Sequence, residues 1–183
     1  RLVLASTSPY RRELLARLGV PFRVAAPPFT EIPPPAQPVS GERVRELVLR
    51  NARGKAESLR GTEPGALILA SDQLGECEGT VLAKPGSEEN AVRQLLFLSG
   101  REHRLHTAVA LLDARTGERA EEVVTSPLHM RPLPEDRLRA YVRRERPLDA
   151  AGAYLSERLG IVLFESLGGG DPTAIVGLPL IAV

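Results

Sequence analysis

The sequence is short of cysteine, of tryptophan and of long apolar runs, and these shortages exclude several classes of protein. Its 183 residues include one cysteine, Cys77, and no tryptophan. A lone cysteine cannot close an internal disulfide, so we expect a reducing, cytoplasmic location. No apolar run approaches the roughly 20 residues that a membrane-spanning helix needs, so we expect no membrane partner.

An excess of charge of one sign is also missing. The 24 basic and 23 acidic residues give a formal net charge of +1, and aromatic residues make up only 4% of the chain. Nucleic-acid-binding proteins usually carry a strong basic field and aromatic side chains for stacking, so we expect no nucleic-acid partner. The remaining composition, 43% hydrophobic and 26% charged, is typical of a globular protein. We predict that residues 1–183 form a single domain.

Lysine is the rarest charged residue. Only Lys55 and Lys84 are lysines, and the other 22 basic residues are arginines. Lysine is a compact point charge with three donors, whereas arginine is a planar fork. Because this chain uses arginine wherever a generic positive charge suffices, the two lysines are candidates for a specific role. The alternative is two solvated side chains that arose by chance.

Apolar runs, caps and breakers along the chain predict alternating strands and helices. The six prolines of residues 27–38 predict an irregular loop, and Glu78-Gly79 predicts a hairpin turn within residues 74–83. Strands are predicted at 2–5, 21–25, 66–70, 102–112, 118–132 and 160–164, and helices at 10–18, 40–59, 87–98 and 134–146. This order indicates an α/β fold with a mixed sheet flanked by helices.

The first segment whose residues could bind a ligand joins the first predicted strand to the first predicted helix. Ser8 is a good N-cap and Pro9 a good first helical residue. The free N–H groups of a helix N-terminus bind anions, and Ser6, Ser8, Arg11 and Arg12 would strengthen such a site for phosphate. Ordinary capping, with both arginines in solvent, is the alternative. The glycine motifs of P-loop and Rossmann proteins are absent.

The second segment is Ser71-Asp72-Gln73, which follows an apolar strand. Ligands of open α/β sheets bind outside the carboxyl ends of the strands. A carboxylate placed there could hold a divalent metal or orient a water molecule, although aspartate is also a common turn residue. Glu31, in the proline-rich loop, could join Asp72 on the metal.

The histidines and the cysteine give little indication of chemistry. His103, His106 and His129 have no metal-binding spacing, and the first two face opposite sides of a predicted strand. We interpret them as packing or surface residues. Cys77 has no catalytic context, and no G-x-S-x-G nucleophile motif is present.

Four motifs along the chain together resemble the signature of the Maf family. The string LASTSPYRRELL contains the family signature S-x-S-P-x-R, and SDQ, AKP and VGLPL follow at the expected places. The resemblance extends from Leu2 to Val183. It implies a Maf/Ham1-like fold with two lobes around a central cleft, and a nucleoside triphosphate pyrophosphatase that hydrolyses the α–β phosphate bond. It also implies a possible homodimer.

The resemblance also implies roles for individual residues. Asp72 would act as the general base, and Glu31 and Asp72 would together hold a divalent metal cation, Mg²⁺ or Mn²⁺. The residues expected to bind the phosphates of the nucleoside triphosphate substrate are Ser6, Ser8, Arg11, Arg12, Lys55 and Lys84. Phosphoryl transfer needs positioning and charge stabilisation more than a nucleophilic side chain, which suits this set of residues.

Within the family, Ser71-Asp72-Gln73, Ser156-Glu157 and the tail GGGDPTAIVGLPL resemble the 7-methyl-GTP pyrophosphatase branch. Tyr10, Gln73 and Glu157 would then select the base. Tyr10 replaces a tryptophan of that branch, and Arg158 replaces a glycine. A carboxylate at position 157 can accept hydrogen bonds from the N1–H and N2–H edge of guanine. The cationic 7-methylguanine ring could stack on an aromatic face at position 10.

Two other functions remain open at this point. One is a pyrophosphatase for dTTP and UTP, whose bases would be repelled by a carboxylate. The other is a non-enzymatic, nucleotide-binding regulator of septum formation. The combination of Arg11, Lys55, Asp72 and Lys84 argues for hydrolysis, since a protein that only binds nucleotide needs no hydrolytic carboxylate.

Overall fold

The computed structural model describes residues 1–36 and 38–183, and its centre is a mixed β-sheet. The strands are β1 (Leu2–Ala5), β2 (Phe22–Ala25), β3 (Leu67–Cys77), β4 (Thr80–Leu82), β5 (Glu102–Asp113), β6 (Arg119–Met130) and β7 (Phe164–Leu167). Their order is β2-β1-β3-β5-β6-β7, with β4 paired to β3. β1 is parallel to β2 and β3, and the other pairs are antiparallel. The predicted mixed α/β fold is confirmed.

Helices flank this sheet: α1 (Pro9–Ala16), α2 (Gly41–Ser58), α3 (Glu88–Leu98), α4 (Glu135–Glu145) and α5 (Pro172–Val176). The first three begin at serine caps, because the hydroxyls of Ser8, Ser40 and Ser87 each accept a hydrogen bond from the backbone N–H three residues later. These starts match the predicted ones. The proline-rich segment has no helix or strand at its described positions, and Gln37 of that predicted loop lies outside the described residues.

The third strand differs from the prediction. We expected a strand that ends at residue 70 and a separate hairpin, but β3 continues through Ser71-Asp72-Gln73 to Cys77. The reason is long-range, because β5 pairs with β3 in one unbroken antiparallel register from Leu67 to Glu76. The predicted hairpin turn is confirmed at Glu78-Gly79, where φ is +50° and +79°. Such left-handed values suit the tight turn of a two-residue hairpin.

On the edge opposite β5, only the two ends of β3 are paired with other described strands. β1 pairs with Leu67–Ala70, and β4 pairs with Gly75–Cys77. Within the described chain, no strand lies beside residues 71–74 on this side. Asp72 therefore lies just beyond the carboxyl end of β1, although it belongs to the middle of its own strand.

The segment after α4 also differs from the prediction. We predicted a strand over 160–164, but Leu159–Leu163 forms a short 3₁₀ helix, and β7 begins only at Phe164. Gly160 approaches the backbone of Leu155 so closely that a Cβ atom there would lie 2.4 Å from the Leu155 carbonyl oxygen. The backbone of residues 159–163 is coiled in this turn rather than extended. Pairing with β6 therefore begins only at Phe164, which lies beside Met130.

Buried apolar side chains fill both faces of the sheet. α2 contributes Val44, Val48, Ala52 and Ala56 from one face of the helix. The largest cluster lies between α3, α4 and the strands β5–β7, and includes Leu95, Leu128 and Leu138. No helix in the described part of the chain has both the length and the apolar character to span a membrane.

His103 and His106 are buried in the core. The sequence predicts packing or surface positions for them, and the structure shows that both are packing residues. Their exposed fractions are 1% and 2%. His103 Nε2 lies 2.9 Å from the Tyr154 hydroxyl, and His106 Nδ1 lies 3.0 Å from Thr125 Oγ1. Burial lowers the pKa of each from the ordinary 6.5 to about 4, and Arg45 and Arg104 add to the shift at His106.

We therefore expect the protein to lose stability on mild acidification. The unfolded chain takes up a proton on each histidine near pH 6.5, whereas the folded chain does so only near pH 4. Stability that is complete above pH 6.5 thus decreases as the pH falls towards 4, by about 2 kcal/mol per histidine between pH 7 and 5. Urea unfolding of His103→Gln at both pH values should show a loss about 2 kcal/mol smaller than that of the wild type. An identical loss in both proteins would contradict this assignment.

Candidate active site

A cleft of about 630 Å³ lies beyond the end of β1 and is lined by Asp72 and Gln73 of β3. Residues 5–11, Lys55 of α2, and Pro27, Phe29 and Glu31 of the proline-rich loop also line it. Further lining residues come from the segments 145–158 and 175–177. Ten of the predicted site residues line this cleft: Ser6, Ser8, Tyr10, Arg11, Glu31, Lys55, Asp72, Gln73, Lys84 and Glu157.

The N-terminus of α1 forms a polar corner of the cleft. Ser6 Oγ accepts a hydrogen bond from the Ser8 N–H at 3.1 Å, and Ser8 Oγ accepts one from the Arg11 N–H at 3.4 Å. The Arg11 guanidinium donates from Nε to the Gly177 carbonyl at 2.9 Å, so the chain near the C-terminus fixes its position. Burial lowers the pKa of Arg11, and the charges of Asp72 and Glu31 oppose that shift. This corner presents hydroxyls and a cation to an anionic ligand.

The structure does not bring Arg12 to the cleft. Arg12 is exposed, whereas Arg11 lines the cleft. Successive residues of a helix point about 100° apart, so the contact between Arg11 and Gly177 turns Arg12 towards solvent.

An ion-paired cluster lies at the centre of the cleft. Lys55 Nζ is 2.6 Å from Asp72 Oδ1 and 2.6 Å from Glu31 Oε1. The side chains of Lys55 and Asp72 are each 7% exposed, whereas that of Glu31 is 60% exposed. Partial burial would raise the pKa of Glu31, but the hydrogen bond and charge of Lys55, with the charges of Lys84 and Arg11, outweigh it and lower that pKa. Both carboxylates therefore face a concentration of positive charge.

Asn51 completes this cluster, and sequence reasoning missed it. Its Nδ2 donates to Asp72 Oδ2 at 3.0 Å and to the Ile32 carbonyl at 3.3 Å, and its Oδ1 accepts from the Ile32 N–H at 2.9 Å. A signal was present in the sequence, since Asn51 and Lys55 are polar residues at i, i+4 on the apolar face of α2.

Lys84 follows β4 and enters the cleft from a separate turn. Its side chain is exposed and makes no hydrogen bond or ion pair with the described residues. Its charge nevertheless contributes to the lowered pKa of Glu31. Thus one of the two lysines is committed to protein carboxylates, and the other remains available to an anion.

The three predicted base-selecting residues lie within the same cleft. Gln73 Nε2 donates to the Ala174 carbonyl at 2.8 Å and to Thr107 Oγ1 at 2.9 Å, so its amide hydrogens are already used within the protein. The side-chain oxygen of Gln73 is the atom left for a ligand. Glu157 is exposed and lines both the main cleft and an adjoining cavity of about 220 Å³.

The donor set restricts the metal that the cleft could hold. Within residues 1–36 and 38–183, no three His, Cys, Asp or Glu side chains are grouped so that they could enclose a metal ion. Two carboxylates, Asp72 and Glu31, are grouped around Lys55. Mg²⁺ is commonly bound through one or two carboxylates together with substrate phosphates, so this pair fits a hard divalent cation that arrives with a nucleotide.

Comparison with known proteins places the chain in a family. The family model described as Maf-like protein matches residues 1–183. The chain therefore belongs to the Maf family, and the resemblance of its sequence motifs is confirmed.

Named relatives cover the chain almost completely. A Burkholderia lata protein named 7-methyl-GTP pyrophosphatase is 45% identical over 100% of this chain and 86% of its own length. Proteins of the same name from Paraburkholderia xenovorans and Pseudomonas aeruginosa are 46% and 44% identical, over 100% and 98% of this chain and 88% and 91% of their own lengths. Among solved structures, the Staphylococcus aureus Ham1 protein aligns with 72% of each chain at 15% identity and a TM-score of 0.49.

Proposed function

We propose that this chain is a nucleoside triphosphate pyrophosphatase that hydrolyses the α–β phosphate bond of 7-methyl-GTP. The observation that carries the proposal is the position of Asp72, a carboxylate fixed by Lys55 and Asn51 in a cleft lined by further cations. The shared name of the relatives supports both the reaction and the substrate.

The residues of the cleft supply the parts that this reaction needs. Asp72 accepts a proton from the attacking water, whose oxygen bonds to phosphorus as the α–β bridge breaks and pyrophosphate leaves. Arg11, Lys84 and the N-terminus of α1 bind the phosphates and neutralise the charge that develops on them. Lys55 orients the Asp72 carboxylate through its 2.6 Å ion pair.

A divalent cation, Mg²⁺ or Mn²⁺, would be held by Asp72 and Glu31. When bound, such an ion supplies charge stabilisation at the phosphate oxygens. The lowered pKa of Glu31 keeps that side chain ionised at neutral pH, which a metal ligand requires.

The base would be selected by Tyr10 and Glu157, which both line the cleft. Glu157 can accept hydrogen bonds from the N1–H and N2–H groups of guanine, whereas uracil and thymine would present carbonyl oxygens to it. The Tyr10 ring is positioned along the same cleft, and an aromatic face stabilises a cationic ring such as 7-methylguanine.

The proposal is tested by measuring pyrophosphate release with Mg²⁺ from 7-methyl-GTP, GTP, dTTP and UTP. We expect the highest kcat/KM for 7-methyl-GTP. A preference for dTTP or UTP would keep the reaction but overturn the assigned base. No release from any of the four by folded protein would favour a nucleotide-binding regulator instead.

Glu157→Gln should reduce the preference for 7-methyl-GTP over UTP by about tenfold or more, because one good bidentate base contact contributes about 1–3 kcal/mol of discrimination. The amide offers only one acceptor oxygen to the guanine edge, and its NH₂ group opposes the guanine N–H groups. Selectivity is read from the ratio of kcat/KM values. Glu165→Gln is the matched control, since that glutamate is also exposed but lies outside the cleft. An equal effect of both variants would contradict the role of Glu157.

A further inference from the structure

Asn51 is a buried polar side chain that joins two parts of the cleft. It is 2% exposed and extends from α2, one helical turn before Lys55. Its carboxamide makes a pair of hydrogen bonds with the backbone of Ile32, one to the N–H and one to the carbonyl. The same amide nitrogen also donates to Asp72 Oδ2.

Asn51 and Lys55 together hold Asp72 and the loop that carries Glu31. Lys55 contacts Asp72 Oδ1, and Asn51 contacts Asp72 Oδ2, so both oxygens of the carboxylate are held from the same helix. Lys55 also contacts Glu31 directly, whereas Asn51 holds Ile32, the next residue along the loop. One helix face therefore sets the distance between Asp72 and the loop that carries Glu31.

Apart from the Phe29 ring, which packs on Gly54 of α2, the described part of the loop has few contacts that keep this position. Residues 33–35 are prolines and carry no backbone N–H donor. Glu31 is mostly exposed, so its ion pair with Lys55 is open to competition from water. The bonds to Ile32 are neutral and involve a buried partner, so they hold the loop independently of charge.

We propose that Asn51 is a positioning residue for the hydrolytic reaction, which holds Asp72 at its second oxygen and attaches the Glu31 loop beside it. This inference rests on the proposed function, because it assigns Asn51 a role in the reaction of Asp72. Asn51 is not expected to touch the nucleotide, so its loss should reduce kcat and leave KM for the nucleotide nearly unchanged.

The test compares three variants of the full chain. Asn51→Leu removes all three hydrogen bonds at nearly constant volume. Asn51→Asp keeps an acceptor for the Ile32 N–H but removes the donor to Asp72. Val48→Ala, on the same buried face of α2 but without a contact to Asp72, controls for a general loss of stability.

Two measurements are made on each variant. Hydrogen exchange of the Ile32 amide reports the loop attachment without any substrate, and the prolines that follow add no amide signal of their own. Steady-state kinetics with 7-methyl-GTP gives kcat and KM separately. We expect Asn51→Leu to accelerate Ile32 exchange about tenfold and to lower kcat about 10–100-fold, as is typical when a group that orients a catalytic ligand is lost. KM should change less than about threefold.

Asn51→Asp should keep the slow exchange of Ile32 and still lose kcat, and Val48→Ala should change neither beyond about threefold. Unchanged Ile32 exchange in Asn51→Leu, a kcat equal to that of Val48→Ala, or a rise in KM alone would each overturn the proposal. If the wild type released no pyrophosphate, the proposed function would fail and the catalytic role of Asn51 with it. Rapid Ile32 exchange in Asn51→Leu would then still identify Asn51 as the loop attachment.

Discussion

Replacing Asp72 with asparagine should lower pyrophosphate release by about 10³-fold or more while the protein remains folded. A positioned general base contributes about 10²–10⁴-fold to a rate, and Asp72 is also one of the two carboxylates that contact Lys55 in the described part of the chain. The asparagine has nearly the same shape, and its side-chain oxygen can still accept the hydrogen bond from Lys55, although its NH₂ group then faces the donor amide of Asn51. The loss of turnover is measured as kcat with 7-methyl-GTP, and folding controls separate it from a loss of stability.

The control for this variant is Asp136→Asn, the same chemical change at an exposed position in the first turn of α4. We expect that control to retain wild-type turnover. Circular dichroism and thermal unfolding should show that Asp72→Asn is folded at the assay temperature. Wild-type turnover by the folded Asp72→Asn protein would remove Asp72 from the mechanism.

Replacing Lys55 with methionine should reduce the free energy of unfolding by about 3–5 kcal/mol at pH 7, the usual cost of removing one partner from a buried ion pair. Asp72 is as buried as Lys55, and without the ammonium its carboxylate would lose its direct ion pair. Turnover should also fall, because Asp72 would lose the contact that orients it. The measurement is urea unfolding at neutral pH.

Lys84→Met distinguishes the role of Lys84 from that of Lys55. Its side chain is exposed and makes no ion pair with the described residues, so its free energy of unfolding should change by less than about 0.5 kcal/mol. Turnover should still fall in this variant, because the ammonium is available to the phosphates. Adding Asp72→Asn to Lys55→Met should recover part of the lost stability, since the two side chains are coupled. Equal destabilisation by both single lysine variants would contradict the ion-paired cluster.

Local signals in the sequence predict most of the fold and much of the site. The serine caps at Ser8, Ser40 and Ser87 locate three helix starts, because capping depends only on residues a few positions apart. The scarcity of lysine directs attention to both lysines that line the cleft. Membership of the family fixes the order of the motifs, and the structure brings the expected carboxylates and cations together.

The features that sequence reasoning missed depend on contacts between distant parts of the chain. The continuity of β3 through Asp72 requires β5, which follows it by about 30 residues. The choice of Arg11 over Arg12 depends on a carbonyl 166 residues away. The role of Asn51 depends on Ile32, which lies in a proline-rich loop without periodicity. A local pattern can mark a residue as unusual, as it does for Asn51 on the apolar face of α2, but it does not identify the distant partner.

Among the described strands, none pairs with residues 71–74 on the side of β1, and Asp72 lies in this stretch as a residue that is both rigidly held and accessible. A side chain in the middle of a long strand is usually well fixed but covered, whereas one on a loop is reachable but mobile. Asp72 is held by the pairing of its strand with β5, and its side chain still lines the cleft. The gap in pairing is bounded by the end of β1 and by the end of β4, where Leu82 pairs with Gly75, and neither strand carries Asp72. Mutations that lengthen or shorten those two strands could therefore adapt the cleft to substrates of different size without altering the catalytic carboxylate.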